Sequence, residues 1–171
     1  ESDAVTLWGI LMAGIISDQE IENLIQEPKI LPGDYHQRIQ VRPKRGHKER
    51  ELDIKGGSGN DFRLILRQST FNALDFSIIL AFRPAKSNVI FRLRRYNGKS
   101  HEHTNLIEDV SFYEYHIHQA TERYQLLGAR EDSYAEPTDR FSDFYQAVSC
   151  LMEDCGFEIP SGAQRSLFEE M

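Results

Sequence analysis

The sequence predicts an α+β fold: an antiparallel meander sheet of about six or seven strands, with an N-terminal and a C-terminal helix on one face. Three observations predict it. The apolar period is 3.6 before Pro32-Gly33, becomes 2 over the following hundred residues, and returns to 3.6 after Pro137. The period-2 segments are joined by short turn-rich connections with no helical period between them, a pattern of hairpins and not of crossovers. The chain has 171 residues, 40% of them apolar and 27% charged, so it can bury one core and is neither disordered, collagenous nor coiled coil.

The first helix, about 18–27, opens on Ser17-Asp18-Gln19-Glu20, which has the form of a capping box. Ile21, Leu24 and Ile25 make its apolar stripe, and Pro28 stops it. Ile39 and Val41 then alternate with Arg38, Gln40 and Arg42, predicting a strand. Leu52 and Ile54 predict the next, Gly56-Gly57-Ser58-Gly59-Asn60 a turn, and Phe62, Leu64 and Leu66 another strand. Leu74 to Phe82 is apolar on both sides, as a central strand would be. Val89, Phe91 and Leu93 predict a further strand, and so do Tyr113, Tyr115 and Ile117. Phe141, Phe144, Tyr145, Val148, Leu151, Met152 and Cys155 form the stripe of a helix over 139–155 that ends at Gly156. The single α+β domain is read over 17–157. The apolar segment 1–16 is read as a docking element or a remnant outside it, and 158–171 as an acidic tail.

Two cysteines, Cys150 and Cys155, are too few for a disulfide scaffold and read as reduced, buried thiols of a cytoplasmic protein. The apolar stretch from Ala4 to Ile16 is shorter than the roughly 20 residues of a membrane span, and no basic residue precedes it as in a secretion signal. No membrane partner is expected.

The net charge of −7 argues against a nucleic-acid ligand until it is divided. Residues 1–35 carry seven acids and one base, 36–99 five acids and fifteen bases, and 100–171 fifteen acids and four bases. A cationic centre therefore lies between two acidic ends. Solvated strand faces and edge protection account for some of it. Arg63, Arg67, Arg92 and Arg94, however, all stand opposite the apolar positions of their strands and would share one side.

Four of the six histidines fall in one 18-residue window as two His-x-His pairs, His101/His103 and His116/His118. Residues two apart on a strand point the same way. Asn97-Gly98 is a strong hairpin signal, and a two-residue loop there would set Arg94 against His101 and Arg92 against His103. Glu114, His116 and His118 fall opposite Tyr113, Tyr115 and Ile117. One open sheet face is thus expected to carry arginines, up to four histidines and a carboxylate, although a one-residue slip in register would invert it.

Imidazoles supply acid and base near neutral pH, and arginine binds phosphate oxygens. This equipment suits metal-free RNA cleavage through the 2′-hydroxyl, the favoured expectation. Three imidazoles with Glu114 or Glu122 could instead hold a divalent metal. Surface histidines on a half-exposed sheet are the bland alternative. Tyr96 is a candidate for base stacking.

His116-Ile117-His118 resembles the histidine–hydrophobe–histidine strand of single-strand nicking endonucleases of the Rep and relaxase type. That resemblance implies a metal and a nucleophilic tyrosine on a helix, with Tyr145 and Tyr124 available; core packing is the expected role of Tyr145. Arg95 and His101 match the loose spacing of helical HEPN ribonucleases, but Asn97-Gly98 breaks any helix there. The glycines at 56, 57 and 59 have no following lysine and form no phosphate loop.

The stretches Phe91–Asn105 and Phe112–Gln125, with Tyr134-Ala-Glu-Pro-Thr138, resemble a family of uncharacterised bacterial domains near mobile elements and toxin–antitoxin or defence loci. The resemblance covers roughly 60–157, through His101, His103, Asn105, His116, His118, Glu122 and Arg123.

The expectation is a phosphodiester-acting enzyme, a small endoribonuclease of toxin or defence type. His116, His118, His101, His103, Glu114 and Glu122 would be catalytic, and Arg92, Arg94, Arg63 and Arg67 would bind phosphate. Asn105 and Arg123 would orient them. Its partner would be nucleic acid, RNA before DNA, or a protein such as an antitoxin or host defence complex, with a homodimer open. A non-enzymatic acidic inhibitor of a phage or mobile element is one alternative, and a metal-dependent single-strand DNA nicking enzyme the other.

Overall fold

The structure, a computed structural model, describes residues 14–160. Most of the apolar segment 1–16 and of the acidic tail therefore lies outside the described residues.

Helix α1 (Asp18–Gln26) starts where Ser17 Oγ accepts the Glu20 N–H at 3.2 Å, the forward half of the expected capping box. Ile21, Leu24 and Ile25 are buried. A two-residue strand β1 (Lys29–Ile30) follows, then a one-turn helix α2 (Tyr35–Arg38). This α2 replaces the expected strand at 38–42. Tyr35 and Ile39 are both buried, and their four-residue spacing belongs to a helical turn that the alternation around Ile39 and Val41 concealed.

The main sheet comprises β2 (Arg42–Lys44), β3 (His47–Lys55), β4 (Asp61–Ser69), β5 (Phe76–Arg83), β6 (Phe91–Asn97), β9 (His116–Gln119) and β10 (Tyr134–Pro137). All neighbours are antiparallel, in the order β10-β9-β6-β5-β4-β3-β2. The expected antiparallel sheet is present, and the apolar segment at 74–82 supplies its middle strand, β5. Gly59, at φ +92°, turns the chain between β3 and β4, a conformation glycine adopts without strain. A separate hairpin, β7 (His103–Asn105) with β8 (Val110–Phe112), is inserted between β6 and β9. Helix α3 (Glu122–Leu126) separates β9 from β10, contrary to the expectation of helix-free connections.

Helix α4 (Phe144–Asp154) is shorter than the expected 139–155. Asp143 caps it, its side chain accepting the Gln146 N–H at 2.8 Å, and so fixes a later start. Tyr145, expected in the stripe, is 43% exposed, and Met152 is only half-buried. The chain after α4 forms β11 (Phe157–Glu158), which pairs parallel with β1.

One face of the sheet packs against α1 and α4. Leu52, Ile54, Phe62, Leu64, Leu66, Ile78, Leu80, Leu93, Tyr96 and Ile117 meet Leu24, Ile25, Phe144, Val148 and Leu151 there. Each such side chain contributes about 1.5–3 kcal/mol by leaving water. Val89 and Tyr113, expected in the core, are 73% and 53% exposed. Lys29, fully buried, closes this layer. Its Nζ donates to the carbonyls of Leu24, Ile25, Glu27 and Cys155 at 2.8–3.0 Å, joining the C-terminal ends of α1 and α4. Burial pulls its pKa down to about 8.

Two departures from the expected register decide where the functional side chains go. First, Asn97-Gly98 is not a two-residue hairpin. The Gly98 and Lys99 amides donate to Phe76 and Leu74, and a Cβ on Gly98 would collide with the Leu74 carbonyl. The glycine serves close approach to β5, and β7 pairs with β8 and not with β6. Second, a bulge interrupts β5–β6: Leu80 faces Arg94 but Ala81 faces Arg92, so Leu93 is the extra residue.

Candidate functional site

The face of the sheet away from the helices holds the site. Beyond the bulge, alternation on β6 restarts one residue out of phase. Tyr96 falls on the helix face opposite Ile78, and Arg95 and Asn97 on the open face opposite Ile79 and Ser77. Arg94 is thereby carried to the helix face, where its charge acts on Asp154 and Cys155. Arg92 and Arg94, expected side by side, are on opposite faces, and Arg95 takes the place assigned to Arg94. Tyr96, suggested for base stacking, is fully buried with its hydroxyl bonded to Asp154.

On β9, Ile117 enters the core opposite Tyr96, and His116 and His118 point to the open face opposite Asn97 and Arg95. They are not surface residues: His116 is 5% and His118 4% exposed. The β7–β8 hairpin covers them. Its His103 ring lies 5.5 Å from His116 and 4.7 Å from His118 between centroids, and the two strand imidazoles are 4.9 Å apart. Phe112 of β8 packs on His103 and His116. One nitrogen from each ring lies within 4.8 Å of one from each of the others.

Hydrogen bonds fix the tautomers. A backbone carbonyl only accepts, so His116 Nδ1–H donates to Glu114 O at 2.8 Å and His118 Nδ1–H to Asp132 O at 2.7 Å. His103 Nε2 meets Asn105 Oδ1 at 2.8 Å. The Asn105 amide is itself oriented by Ala135, accepting its N–H at 2.9 Å and donating to its carbonyl at 2.8 Å. His103 Nε2 must therefore carry the proton. The lone pairs left over are on His103 Nδ1, His116 Nε2 and His118 Nε2. Burial pushes His116 down to about 4. Burial, followed by the Arg95 charge and then the neighbouring imidazoles, pushes His118 down to about 2. These two rings are neutral at physiological pH and weak as bases, with lone pairs suited to ligating a metal.

Arg95 flanks the cluster. Its Nε donates to Asp132 Oδ2 at 2.9 Å, while Arg130 Nε donates to Asp132 Oδ1 at 2.7 Å, and the Asp132 carboxylate is fully buried. Burial lowers the Arg95 pKa, and Asp132 opposes that. No hydrogen bond reaches the Arg95 Nη groups among the described residues, so they are available to an anion. Cluster and guanidinium open into a cleft of about 570 Å³ whose wall also includes His101, Glu102 and Tyr124.

The other sequence candidates are dispersed. His101 is exposed on the cleft wall, outside the three-ring group. Glu114 contributes its carbonyl, not its carboxylate, which accepts the Tyr113 N–H. Glu122 caps no imidazole; its N–H donates to Asp18. Arg123 pairs with Glu108 at 2.6 Å and stacks over Tyr134. Arg92 is held by Glu131, and Arg63 by Asp53 and Glu51. Arg67 is exposed on the open face, on β4. Sequence reasoning missed Arg95 and Asp132. Arg95 is placed by the bulge at Leu93, which has no mark in local composition, and Asp132 by the return of the chain between α3 and β10.

The fold and site define an α+β protein with a three-histidine centre on the open face of an antiparallel sheet. The chain belongs to the family of unknown function DUF6978, whose model matches residues 16–156. No curated protein and no solved structure matches it. No helix among the described residues is long and apolar enough to cross a membrane.

Proposed function

We propose that this protein is a cytoplasmic phosphodiester-acting enzyme, a small endoribonuclease of toxin or defence type. The observation that carries the reading is three convergent imidazoles beside a guanidinium with unused donors, at the base of an open cleft. A base presented by the cluster, an imidazole nitrogen or a hydroxide it holds, takes the 2′-hydroxyl proton. The O2′–P bond forms, the P–O5′ bond breaks, and the departing 5′ oxygen takes a proton from solvent. Arg95 supports the added charge on the phosphoryl oxygens. The test is incubation of the purified protein with total RNA and with single-stranded DNA, with and without divalent metal. RNA cleavage lost in His116→Ala/His118→Ala protein supports the reading. No cleavage under any condition, or equal cleavage by the variant, overturns it and leaves the non-enzymatic inhibitor reading.

One observation favours a second reading, nicking of single-stranded DNA. Tyr124, on α3, is part of the wall of the same cleft, and its hydroxyl donates to Glu108 Oε2 at 2.6 Å; its side chain is buried and burial raises its pKa, so the hydroxyl must be uncovered before it can attack. Tyr145 lies instead beside Arg140 and Cys150 on α4. Here the Tyr124 hydroxyl gives its proton to Glu108 and its oxygen bonds to phosphorus as the P–O bond to the leaving sugar breaks, the departing oxygen taking a proton from solvent. A covalent DNA adduct abolished by Tyr124→Phe supports it; an adduct that survives the substitution, or none, overturns it.

A further inference from the structure

We propose that His103 Nδ1, His116 Nε2 and His118 Nε2 bind one divalent transition-metal ion of the zinc class, leaving a coordination position open to the cleft. The inference deepens the reading of the same cleft and rests on it only for what the ion does there. Whether the ion binds is independent of any nucleic acid.

Three features separate this cluster from histidines that merely pack. The first is convergence from separate elements. His116 and His118 come from one strand of the main sheet and His103 from an inserted hairpin, yet one nitrogen of each falls within 4.8 Å of the other two. A hairpin laid over a sheet to bury apolar surface needs no imidazole at the contact. The second is orientation. Every ring has its other nitrogen committed to an oxygen acceptor, two to backbone carbonyls and one to an amide that Ala135 holds in place. Such outer partners fix tautomer and ring plane, as in metal-binding histidines generally. The third is what is left over. The remaining lone pairs have no donor among the described residues, although two of the rings are at least nine-tenths buried. All three rings line the cleft, where one cation can take the three lone pairs at once.

Donor chemistry sets the class of ion. Three imidazoles without a carboxylate suit zinc, copper, nickel, cobalt or ferrous iron and exclude calcium and magnesium, which require oxygen donors. Three protein ligands with an open position are the pattern of catalytic sites, since structural zinc sites close with four. The ligands are neutral, so the bound ion keeps its full charge toward the cleft. With Arg95 beside it, the centre attracts an anionic group such as a phosphodiester oxygen or hydroxide. A metal-held hydroxide would then be the base of the proposed cleavage.

The test needs only the metal and the whole chain. The protein is stripped with a chelator and titrated with zinc(II) and cobalt(II), while thermal unfolding and the visible d–d bands of cobalt(II) are followed. The expected result is one ion per chain, a raised unfolding temperature, and cobalt bands of four- or five-coordinate intensity. Affinity should fall in His103→Ala and His116→Asn proteins by more than the roughly 10–100-fold of an outer-shell substitution. His103 is on the covering hairpin and half-buried, so His103→Ala decides the matter if the strand variants fail to fold. No bound ion with either metal, or unchanged affinity in His103→Ala protein, overturns the site. Metal binding without RNA cleavage retains the site and removes the nuclease; cleavage by metal-free protein retains the nuclease and removes the ion as the source of its base.

Discussion

Asn105 binds His103 and the backbone of Ala135 at the same time: its Oδ1 accepts from His103 Nε2 and from the Ala135 N–H, and its Nδ2 donates to the Ala135 carbonyl. One buried amide thus joins the inserted hairpin to the edge strand of the main sheet and sets the ring that completes the cluster. Asn105→Ala should leave both Ala135 groups unsatisfied and cost about 1–3 kcal/mol of stability. It should also weaken zinc binding about 10–100-fold with every ligand still in place. Urea unfolding and zinc titration of the same variant measure the two effects. A loss of stability with unchanged zinc affinity would remove Asn105 as a positioning residue.

The two arginines on Asp132 should behave differently. Asp132 is fully buried and Arg95 nearly so, with a side chain 18% exposed, whereas Arg130 is 48% exposed. Asp132→Ala strands the buried Arg95 charge and should destabilise by about 3–5 kcal/mol. Arg130→Ala removes a half-exposed pair and should cost no more than about 1 kcal/mol. Comparable losses in denaturant titration would mean that Arg130, not Arg95, balances the carboxylate.

Lys29→Met should be among the most damaging single substitutions. It retains the apolar stem but removes the donor shared by four buried carbonyls at the ends of α1 and α4. Stability should fall by at least about 3 kcal/mol, because unsatisfied buried groups carry their full desolvation cost. Hydrogen exchange should accelerate first in β1 and β11. A variant as stable as the parent chain would show that those carbonyls find water.

The two thiols predict a pH response at the alkaline end. Burial pushes Cys155 up to about 12; burial and then Asp154 push Cys150 up to about 11. Both values exceed the ordinary thiol value near 9, so above it the unfolded chain loses protons that the folded chain keeps. The resulting stabilisation is intact below pH 9 and is lost as pH rises from 9 toward 12. In native protein at pH 8 neither cysteine should react with iodoacetamide, while both should react after unfolding. Rapid native labelling of Cys155 would contradict its burial.

Arg94 and Arg95 provide a test of the bulge itself. If RNA binds the open face, Arg95→Ala should reduce the salt dependence of binding by about one phosphate contact, and Arg94→Ala should leave it unchanged. Arg94→Ala should act on stability, through the charge it presents to Asp154 on the helix face. Equal effects on the salt slope would place both guanidinia in the cleft.

The sequence by itself determined the fold class, the capped first helix, the central strand β5 and the pairing of His116 with His118 on one side of a strand. These follow from local rules: a serine at an N-cap, periods of 3.6 and 2, and alternation about Ile117. It also named His103 and Asn105, which the structure brings together beside that pair. Only the tertiary structure decided which groups meet. Gly98 reads as a turn in sequence but is required by the approach of Leu74, so the predicted hairpin dissolves and His101 goes to the cleft wall. The extra residue at Leu93 moves Arg94 to the helix face and brings Arg95 to the histidines. Asp132 reaches them only because α3 returns the chain along β9. Local periodicity fixes the side to which a residue points within its own strand. Register, bulges and inserted hairpins are set by contacts between segments distant in sequence, and those contacts decide what each residue faces.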